Sequence, residues 1–159
     1  MILFHGSNQE ITNPGLRYSR RNLDFGIGFY TTTDLSQAEK WARRVAKIRN
    51  IGKPVVSVFE TEQKLWTELS ILEFKKADSD WLQLVVNFRT DQKLTCDYDV
   101  IAGPVADDRT VDVINQYIAG TYNEEIAMKL LLPMQFKDQW ALKTENAVSA
   151  LVWKETITP

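Results

Sequence analysis

The chain has 159 residues, enough for one domain to bury a core without disulfides or a structural metal. Hydrophobic residues make up 44% and charged residues 25%, which is typical of a globular protein and excludes a largely disordered chain. The net charge of −2 argues against nucleic-acid binding through a strong overall positive field, although it is compatible with a local basic patch.

The single cysteine, Cys96, excludes an internal disulfide and a cysteine-rich zinc site, which is typical of a reducing compartment. No apolar run reaches the length of a membrane span, and no basic leader precedes the first apolar residues. We therefore expect a cytoplasmic protein with neither a membrane partner nor a metal.

The first half of the chain predicts two strands and a long helix. A strand at residues 2–5 is followed by a turn at residues 6–8, and residues 17–22 are expected to form an exposed loop. A second strand covers residues 29–33. Asp34 then caps a helix that runs to about residue 50, with an apolar face that includes Trp41 and Ile48 and a basic face expected to be solvated.

The second half alternates strands and helices. The predicted elements are strands at 55–60 and 69–74, a helix capped by Asp78, a strand at 98–102 ended by Gly103, a helix from 107 or 108 stopped by Gly120, a helix capped by Asn123, a strand at 138–143, a helical turn capped by Thr144, and a strand at 151–156. The order is too irregular for a doubly wound parallel sheet. It predicts one α+β domain over residues 1–159, with a mixed or split sheet.

Two short segments combine residues typical of a binding site. Residues 24–33 place two glycines around Ile27 and lead at once into an aromatic and threonine-rich strand that begins with Phe29 and Tyr30. Residues 4–7 end the first strand with His5, the only histidine. The spacing matches neither a dinucleotide-binding Rossmann loop nor a P-loop, and an ordinary hairpin turn with a core tyrosine is the alternative interpretation.

These segments resemble the motifs of a known superfamily. Phe-His-Gly-Ser at residues 4–7 and Phe-Gly-Ile-Gly-Phe-Tyr at residues 25–30 are similar to the first two motifs of ADP-ribosyltransferases of the diphtheria-toxin and poly(ADP-ribose) polymerase type. Over nearly all of its length, the chain also resembles a bacterial family of unknown-function domains in that superfamily. A branch of that group includes toxins of toxin–antitoxin systems, among them phage-defence toxins that modify RNA.

The resemblance implies an α+β fold with a split antiparallel sheet core and flanking helices, which holds NAD as the substrate. It implies that His5 hydrogen-bonds the adenosine-side ribose, that the Gly6 backbone holds the nicotinamide carboxamide, and that Tyr30 stacks on the nicotinamide. The implied NAD-binding residues are His5, Gly6, Ser7, Arg20, Gly28, Tyr30 and Trp41. A serine common in the superfamily is replaced here by Ala38.

The third motif of the superfamily carries a glutamate on a late strand, and Gln139 stands at the matching position. A glutamine can hydrogen-bond the ribose 2′-hydroxyl but cannot act as a base at neutral pH. The resemblance therefore implies Gln139, Tyr30 and His5 as catalytic residues, and it favours mono-ADP-ribosylation over chain elongation.

Several charged residues are further candidates for the site. Asp24, Glu124, Glu125 and Glu145 could supply a carboxylate, although acidic residues near helix N-termini usually complement the helix dipole. The arginines at positions 17, 20 and 21 suit phosphate recognition, either of the NAD pyrophosphate or of an RNA backbone, and a solvated loop is the alternative.

The function expected from these motifs is that of an NAD-dependent mono-ADP-ribosyltransferase, a bacterial toxin or phage-defence effector that modifies RNA or protein and has an antitoxin protein as a further partner. Two alternatives stay open: a non-catalytic module of the same fold that binds NAD or a nucleotide, and an NAD glycohydrolase.

Overall fold

Two sheets form the framework of the protein. The computed structural model describes residues 1–19, 23–91, 93–106, 108–134 and 136–159. Within these ranges the fold is α+β, with two mostly antiparallel sheets and six α-helices.

The first sheet has three antiparallel strands in the order β1-β3-β7. They are β1 (Ile2–Ser7), β3 (Val55–Thr61) and β7 (Leu151–Ile157). Leu3 of β1 is fully buried, whereas its neighbour Ile2 is exposed.

The second sheet has four strands in the order β2-β6-β5-β4. They are β2 (Phe29–Thr31), β6 (Asp138–Leu142), β5 (Val100–Pro104) and β4 (Ile71–Glu73). Strands β4 and β5 run parallel, and the other pairs are antiparallel. A helical crossover joins the parallel pair, as parallel pairing requires.

A single bridge joins the two sheets. Phe4 of β1 and Thr32, just after β2, exchange both backbone hydrogen bonds, at 2.8 Å and 3.0 Å. The bridge is isolated, so β1 and β2 part on its far side. The second sheet therefore begins where the first one opens.

Six α-helices flank the sheets in the described ranges. They are α1 (Leu35–Arg49), α2 (Gln63–Trp66), α3 (Ser79–Thr90), α4 (Asp108–Ile118), α5 (Glu124–Leu131) and α6 (Glu145–Ser149). The four predicted caps are confirmed, because the side chains of Asp34, Asp78, Asn123 and Thr144 each accept a hydrogen bond from a backbone N–H in the first turn.

Of the three core clusters among the described residues, the two larger ones lie on opposite sides of the four-stranded sheet, and a small third one joins α1 to β3. The larger cluster joins β5 and β6 to α3, α4 and α5, around the fully buried Trp81 and Phe25. The second lies where the two sheets meet α6, around Phe29 and Phe59. Because Phe25 and Phe29 lie at either end of the glycine-containing segment, both clusters hold that segment in place.

Some element predictions are wrong at their ends. Strand β1 continues through Ser7, where the sequence predicts a turn from residue 6, and β5 continues to Pro104, past the predicted stop at Gly103. The sequence predictions also missed α2 and a short 3₁₀ helix at Leu16–Tyr18. None of the helices within the described ranges combines the length and the apolar character needed to cross a membrane.

Candidate functional site

A cleft of about 840 Å³ opens where β1 and β2 part, and α1 forms one of its walls. Seven of the eight residues predicted for the site line it: His5, Gly6, Ser7, Gly28, Tyr30, Trp41 and Gln139. The eighth, Arg20, lies outside the described residues, as does Arg21. A cleft of this size is in the usual range for small-molecule sites, about 300–1,000 Å³.

Gly6 lies where β1 is closest to α1. A Cβ atom added at Gly6 would lie 2.2 Å from the carbonyl oxygen of Ala38 and 3.0 Å from the amide nitrogen of Ala42. Both contacts are with helix backbone, which cannot rotate away as a side chain can. Only glycine therefore permits this approach of the strand to the helix.

The backbone of Gly6 also faces the gap between the sheets. In an antiparallel strand the N–H and C=O groups of alternate residues point to the same side. Phe4 directs its groups to Thr32 of the second sheet, so Gly6, two residues further on, directs its own away from β3 and into the opening. No described backbone group pairs with them there.

His5 bridges the opening with its side chain. Its Nδ1 lies 2.6 Å from the carbonyl oxygen of Tyr30, and its ring stacks on Phe29 at a centroid distance of 4.4 Å. Because a carbonyl oxygen only accepts, Nδ1 must carry the proton. In the neutral ring Nε2 is then the acceptor nitrogen.

The segment at residues 24–28 folds around the Tyr30 hydroxyl. This hydroxyl accepts a hydrogen bond from Phe25 N–H at 3.0 Å and donates one to the carbonyl oxygen of Gly26 at 2.8 Å. Gly26 has a φ of 69°, in the left-handed region that glycine adopts readily. Gly28 donates its N–H to Ser19 Oγ at 2.9 Å.

Tyr30 consequently contributes its ring to the cleft and its hydroxyl to the loop. Burial raises the pKa of this hydroxyl well above its ordinary value near 10, so it stays protonated at neutral pH. The hydroxyl is therefore unsuited to proton abstraction. A ring that lines the cleft, with its edge fixed, is suited to stacking on a planar ligand.

Lys143 supports the same loop from the other side. Its ammonium group donates a hydrogen bond to the carbonyl oxygen of Phe25 and lies 4.7 Å from the centre of the Phe88 ring. Burial lowers the pKa of Lys143 from 10.5 to about 8. Lys143 does not line the cleft, so we assign it to the support of the loop.

Gln139 lies on β6 at the floor of the cleft and is 6% exposed. Its Nε2 donates to Asp24 Oδ2 at 2.8 Å and to the carbonyl oxygen of Pro104 at 3.1 Å. Asp24 in turn accepts hydrogen bonds from the Arg89 guanidinium and, at 3.1 Å, from Ala106 N–H. The Asp24 carboxylate is thus fully engaged and is poorly suited to act as a general base.

The other candidate carboxylates lie elsewhere. Glu124 bonds Ser79, Glu125 pairs with Lys129, and Glu145 occupies the first turn of α6. None of the three lines the cleft. Among the described residues, Asp24 is the one carboxylate in its lining.

The lining carries more positive than negative charge. Six basic residues of the described ranges contribute to it: Arg17, Lys40, Arg44, Arg49, Arg89 and Lys137. Two of them are held by carboxylates, since Arg89 pairs with Asp24 and Lys137 with Asp34. In a protein of net charge −2, this concentration of cations favours an anionic ligand, such as one that carries phosphates.

Part of this basic surface belongs to α1. Lys40 and Arg44 are exposed, as the predicted solvated face requires, and they also line the cleft beside Trp41. Trp41 and Ile48, predicted for the apolar face, are 42% and 69% exposed. Partial exposure of an aromatic ring next to cations is typical of a ligand site, but helical periodicity alone does not reveal it.

Gln37 is a site residue that the sequence analysis missed. Its Nε2 donates to the carbonyl oxygen of Asp138 at 3.0 Å, and its Oε1 is a buried acceptor with no partner among the described residues. Gln37 lines the cleft one helical turn before Trp41. The oxygen itself is buried, so it is an unsatisfied polar group in the cleft wall and not a group that a ligand in the cleft reaches directly.

The chain was compared with known families, curated proteins and solved structures. No curated protein and no solved structure matches it. The model of one family, described as "Protein of unknown function (DUF3990)", matches residues 1–153. Because this match covers nearly the whole chain, the protein belongs to the DUF3990 family.

Proposed function

We propose that this protein is an NAD-dependent mono-ADP-ribosyltransferase that acts on a macromolecule. The observation that carries the proposal is the single cleft. Residues from three distant parts of the sequence, His5 and Gly6, Tyr30, and Gln139, line it together, and each offers a group of the kind that NAD requires. The finer fold assignment, a split-sheet core of the ADP-ribosyltransferase type, is part of the same proposal.

The nicotinamide end would bind where the two sheets part. The Gly6 N–H and C=O are a donor and an acceptor side by side, which is the pattern that a carboxamide recognises. The Tyr30 ring on one side and Trp41 on α1 would stack on the planar base. His5 Nε2 would accept from a ribose hydroxyl, and the basic lining would bind the pyrophosphate.

The chemistry breaks the bond between ribose C1′ and the nicotinamide nitrogen, and the electron pair leaves with nicotinamide. Positive charge grows on the ribose in the transition state, so an acceptor that strengthens its bond to the 2′-hydroxyl lowers the barrier. Gln139 Oε1 would be that acceptor. The incoming nucleophile then bonds to C1′ and releases its proton to water, because the Asp24 carboxylate is fully engaged.

The acceptor is proposed to be RNA or protein, and the cellular role that of a toxin or phage-defence effector in the bacterial cytoplasm, held in check by an antitoxin protein. The basic lining supports a phosphate-bearing acceptor at the cleft mouth as well as NAD within it. Gln139, which stands at the position of the superfamily's glutamate, cannot act as a base at neutral pH, and this supports a single transfer over chain elongation.

The test is incubation of the purified protein with NAD labelled on its adenine side in a cell lysate, followed by nuclease or protease. Label that becomes attached to a macromolecule and is lost with one of the two treatments identifies a transferase and its acceptor class. Trp41→Ala is expected to weaken NAD binding about tenfold, from the loss of about 1–1.5 kcal/mol of stacking. Ile48→Ala is the matched control, because Ile48 is exposed on the same helix outside the cleft.

One observation favours a second candidate. Since the Asp24 carboxylate is fully engaged and no other described carboxylate lines the cleft, the described residues offer no available carboxylate to activate a nucleophile. An NAD glycohydrolase would release free ADP-ribose in the same assay. A binding module would bind NAD without consuming it. A folded protein that does neither would refute the NAD proposal in all its forms.

A further inference from the structure

The side-chain amide of Gln139 has a forced orientation. Its Nε2 faces two oxygens, Asp24 Oδ2 and the carbonyl oxygen of Pro104, and neither of them can donate. The Pro104 oxygen also accepts from Trp81 Nε1 at 3.1 Å, so it is itself fixed. A reversed amide would place an oxygen against both acceptors, which excludes it.

The carbonyl oxygen of the same amide is therefore the group that reaches the cleft. No described residue donates a hydrogen bond to Gln139 Oε1. In the described ranges, Gln37 Oε1 is the one side-chain atom that is both buried and without a partner, so Gln139 Oε1 is not buried. Gln139 Oε1 must therefore reach solvent, and the solvent beside Gln139 is that of the cleft. The site presents an acceptor there, which suits a ligand hydroxyl.

Asp24 is held more firmly than a surface carboxylate. It is 7% exposed, and its pairing with Arg89 of α3 leaves the two side chains only 8% and 16% exposed. Four hydrogen bonds from described residues converge on its two oxygens, and the one from Gln139 is the only one of the four that comes from a side-chain amide. A buried ion pair often adds little net stability, but it fixes the position of the Asp24 carboxylate.

We propose that Asp24 is the positioning residue of the site: its carboxylate, fixed by Arg89, orients Gln139 so that the amide oxygen meets the ribose 2′-hydroxyl. This inference rests on the proposed function for the identity of the ligand. The negative charge lies on Asp24, which also lines the cleft, and the amide of Gln139 connects it to the ligand. The side chain at position 139 thus donates hydrogen bonds to the protein and presents an acceptor to the cleft.

The proposal predicts that Asp24→Asn changes turnover and stability in opposite directions in two backgrounds, the natural protein and Gln139→Glu. In the natural background, Asp24→Asn leaves one acceptor oxygen where Arg89 and Gln139 donate to two, and it removes the counter-charge of Arg89, so it lowers both turnover and stability. In a Gln139→Glu background, the two carboxylates repel each other at hydrogen-bond distance. There, Asp24→Asn removes the repulsion and places an amide N–H donor beside the new carboxylate, so it raises both.

The experiment measures NAD consumption and thermal unfolding for the natural protein, Asp24→Asn, Gln139→Glu and the double variant, all at pH 7.5. We expect Asp24→Asn to lower kcat about 10–100-fold with a much smaller change in KM, because the contact acts in the transition state. Gln139→Glu is expected to be less active than the natural protein, although it supplies a carboxylate. In the Gln139→Glu background, Asp24→Asn should raise kcat and the unfolding midpoint.

Asp138→Asn is the matched control for the loss of a carboxylate. Asp138 is the neighbour of Gln139 on β6 and accepts hydrogen bonds from Thr32, Thr33 and Trp140, but none from Gln139. Asp138→Asn should shift the unfolding midpoint in the same direction and by the same amount in the natural protein and in Gln139→Glu.

The outcomes separate the two proposals. If Asp24→Asn shifts the unfolding midpoint equally in both backgrounds, the positioning role is refuted, whatever the activity. If the midpoint shows the reversal but the natural protein neither binds nor consumes NAD, the orientation of Gln139 stands and the proposed function fails. If NAD is consumed and kcat changes in parallel in both backgrounds, the function stands and the inference about Asp24 is overturned.

Discussion

Replacement of Tyr30 by phenylalanine separates the two roles that the structure gives to this residue. The change keeps the ring in the cleft and removes the hydroxyl that joins Phe25 N–H to the carbonyl oxygen of Gly26. Two backbone groups then lose their partner in a partly buried loop. An unpaired buried group costs about 1–3 kcal/mol, and water can reach part of this loop, so we expect a loss of about 2 kcal/mol for the pair.

For a domain of this length, a loss of that size lowers the unfolding midpoint by about 4–8 °C. Urea denaturation followed by tryptophan fluorescence measures the free energy of unfolding directly. Tyr18→Phe is the control, since the Tyr18 hydroxyl accepts only an exposed hydrogen bond from Arg17. A loss for Tyr30→Phe no greater than for Tyr18→Phe would show that the hydroxyl does not shape the loop.

Three further predictions concern the same framework. Gly6→Ala should destabilise the fold by about 1–3 kcal/mol or more in urea denaturation, because the new Cβ would lie 2.2 Å from the α1 backbone. Gly103→Ala should cost less, because its Cβ would lie 3.1 Å from the Phe74 side chain, and equal losses would contradict the close approach at Gly6. Arg89→Ala should lower the free energy of unfolding by about 3–5 kcal/mol, because it leaves Asp24 buried without its counter-charge. Lys129→Ala, which breaks an exposed ion pair, should have no measurable effect, and similar values for the two variants would refute the difference in burial. The pKa of Lys143 is about 8 in the folded protein and near 10.5 in the unfolded chain, so between these pH values the unfolded chain binds the extra proton. The free energy of unfolding, taken relative to that of Lys143→Met, should therefore rise from pH 8 to 10.5. A flat or falling difference would contradict the burial of the ammonium group.

Local signals in the sequence were sufficient for most helices. Asp34, Asp78, Asn123 and Thr144 each cap the helix for which they were predicted, because a cap depends on a few neighbouring backbone groups. The strand ends were harder to predict. Gly6 and Gly103 indicate turns when only neighbouring residues are considered, but distant strands pair with both: Gly6 with Val56, and Gly103 with Gln139.

The motif residues of the cleft were predictable as a set, but their partners were not. Asp24 and Gln139 are 115 positions apart, and no pattern along the chain indicates that one orients the other. The same holds for Arg89, which periodicity places on a helix without showing that its end reaches Asp24. Arg44 and Lys40 are exposed as predicted, but helical periodicity does not show that they also line a cleft, because it distinguishes only apolar from polar faces.

The parting of the two sheets links the fold to the site. A continuous sheet would pair the Gly6 backbone with β2, as the Phe4–Thr32 bridge does one step earlier, and no cleft would exist between them. The structure instead places His5 across the opening and draws β1 against α1 through Gly6, so the polar groups of Gly6 face the cleft with no described partner. Unpaired backbone groups at such a place are costly unless a ligand or water satisfies them. We therefore expect a ligand that pairs with this edge to stabilise the protein against unfolding, in proportion to its affinity.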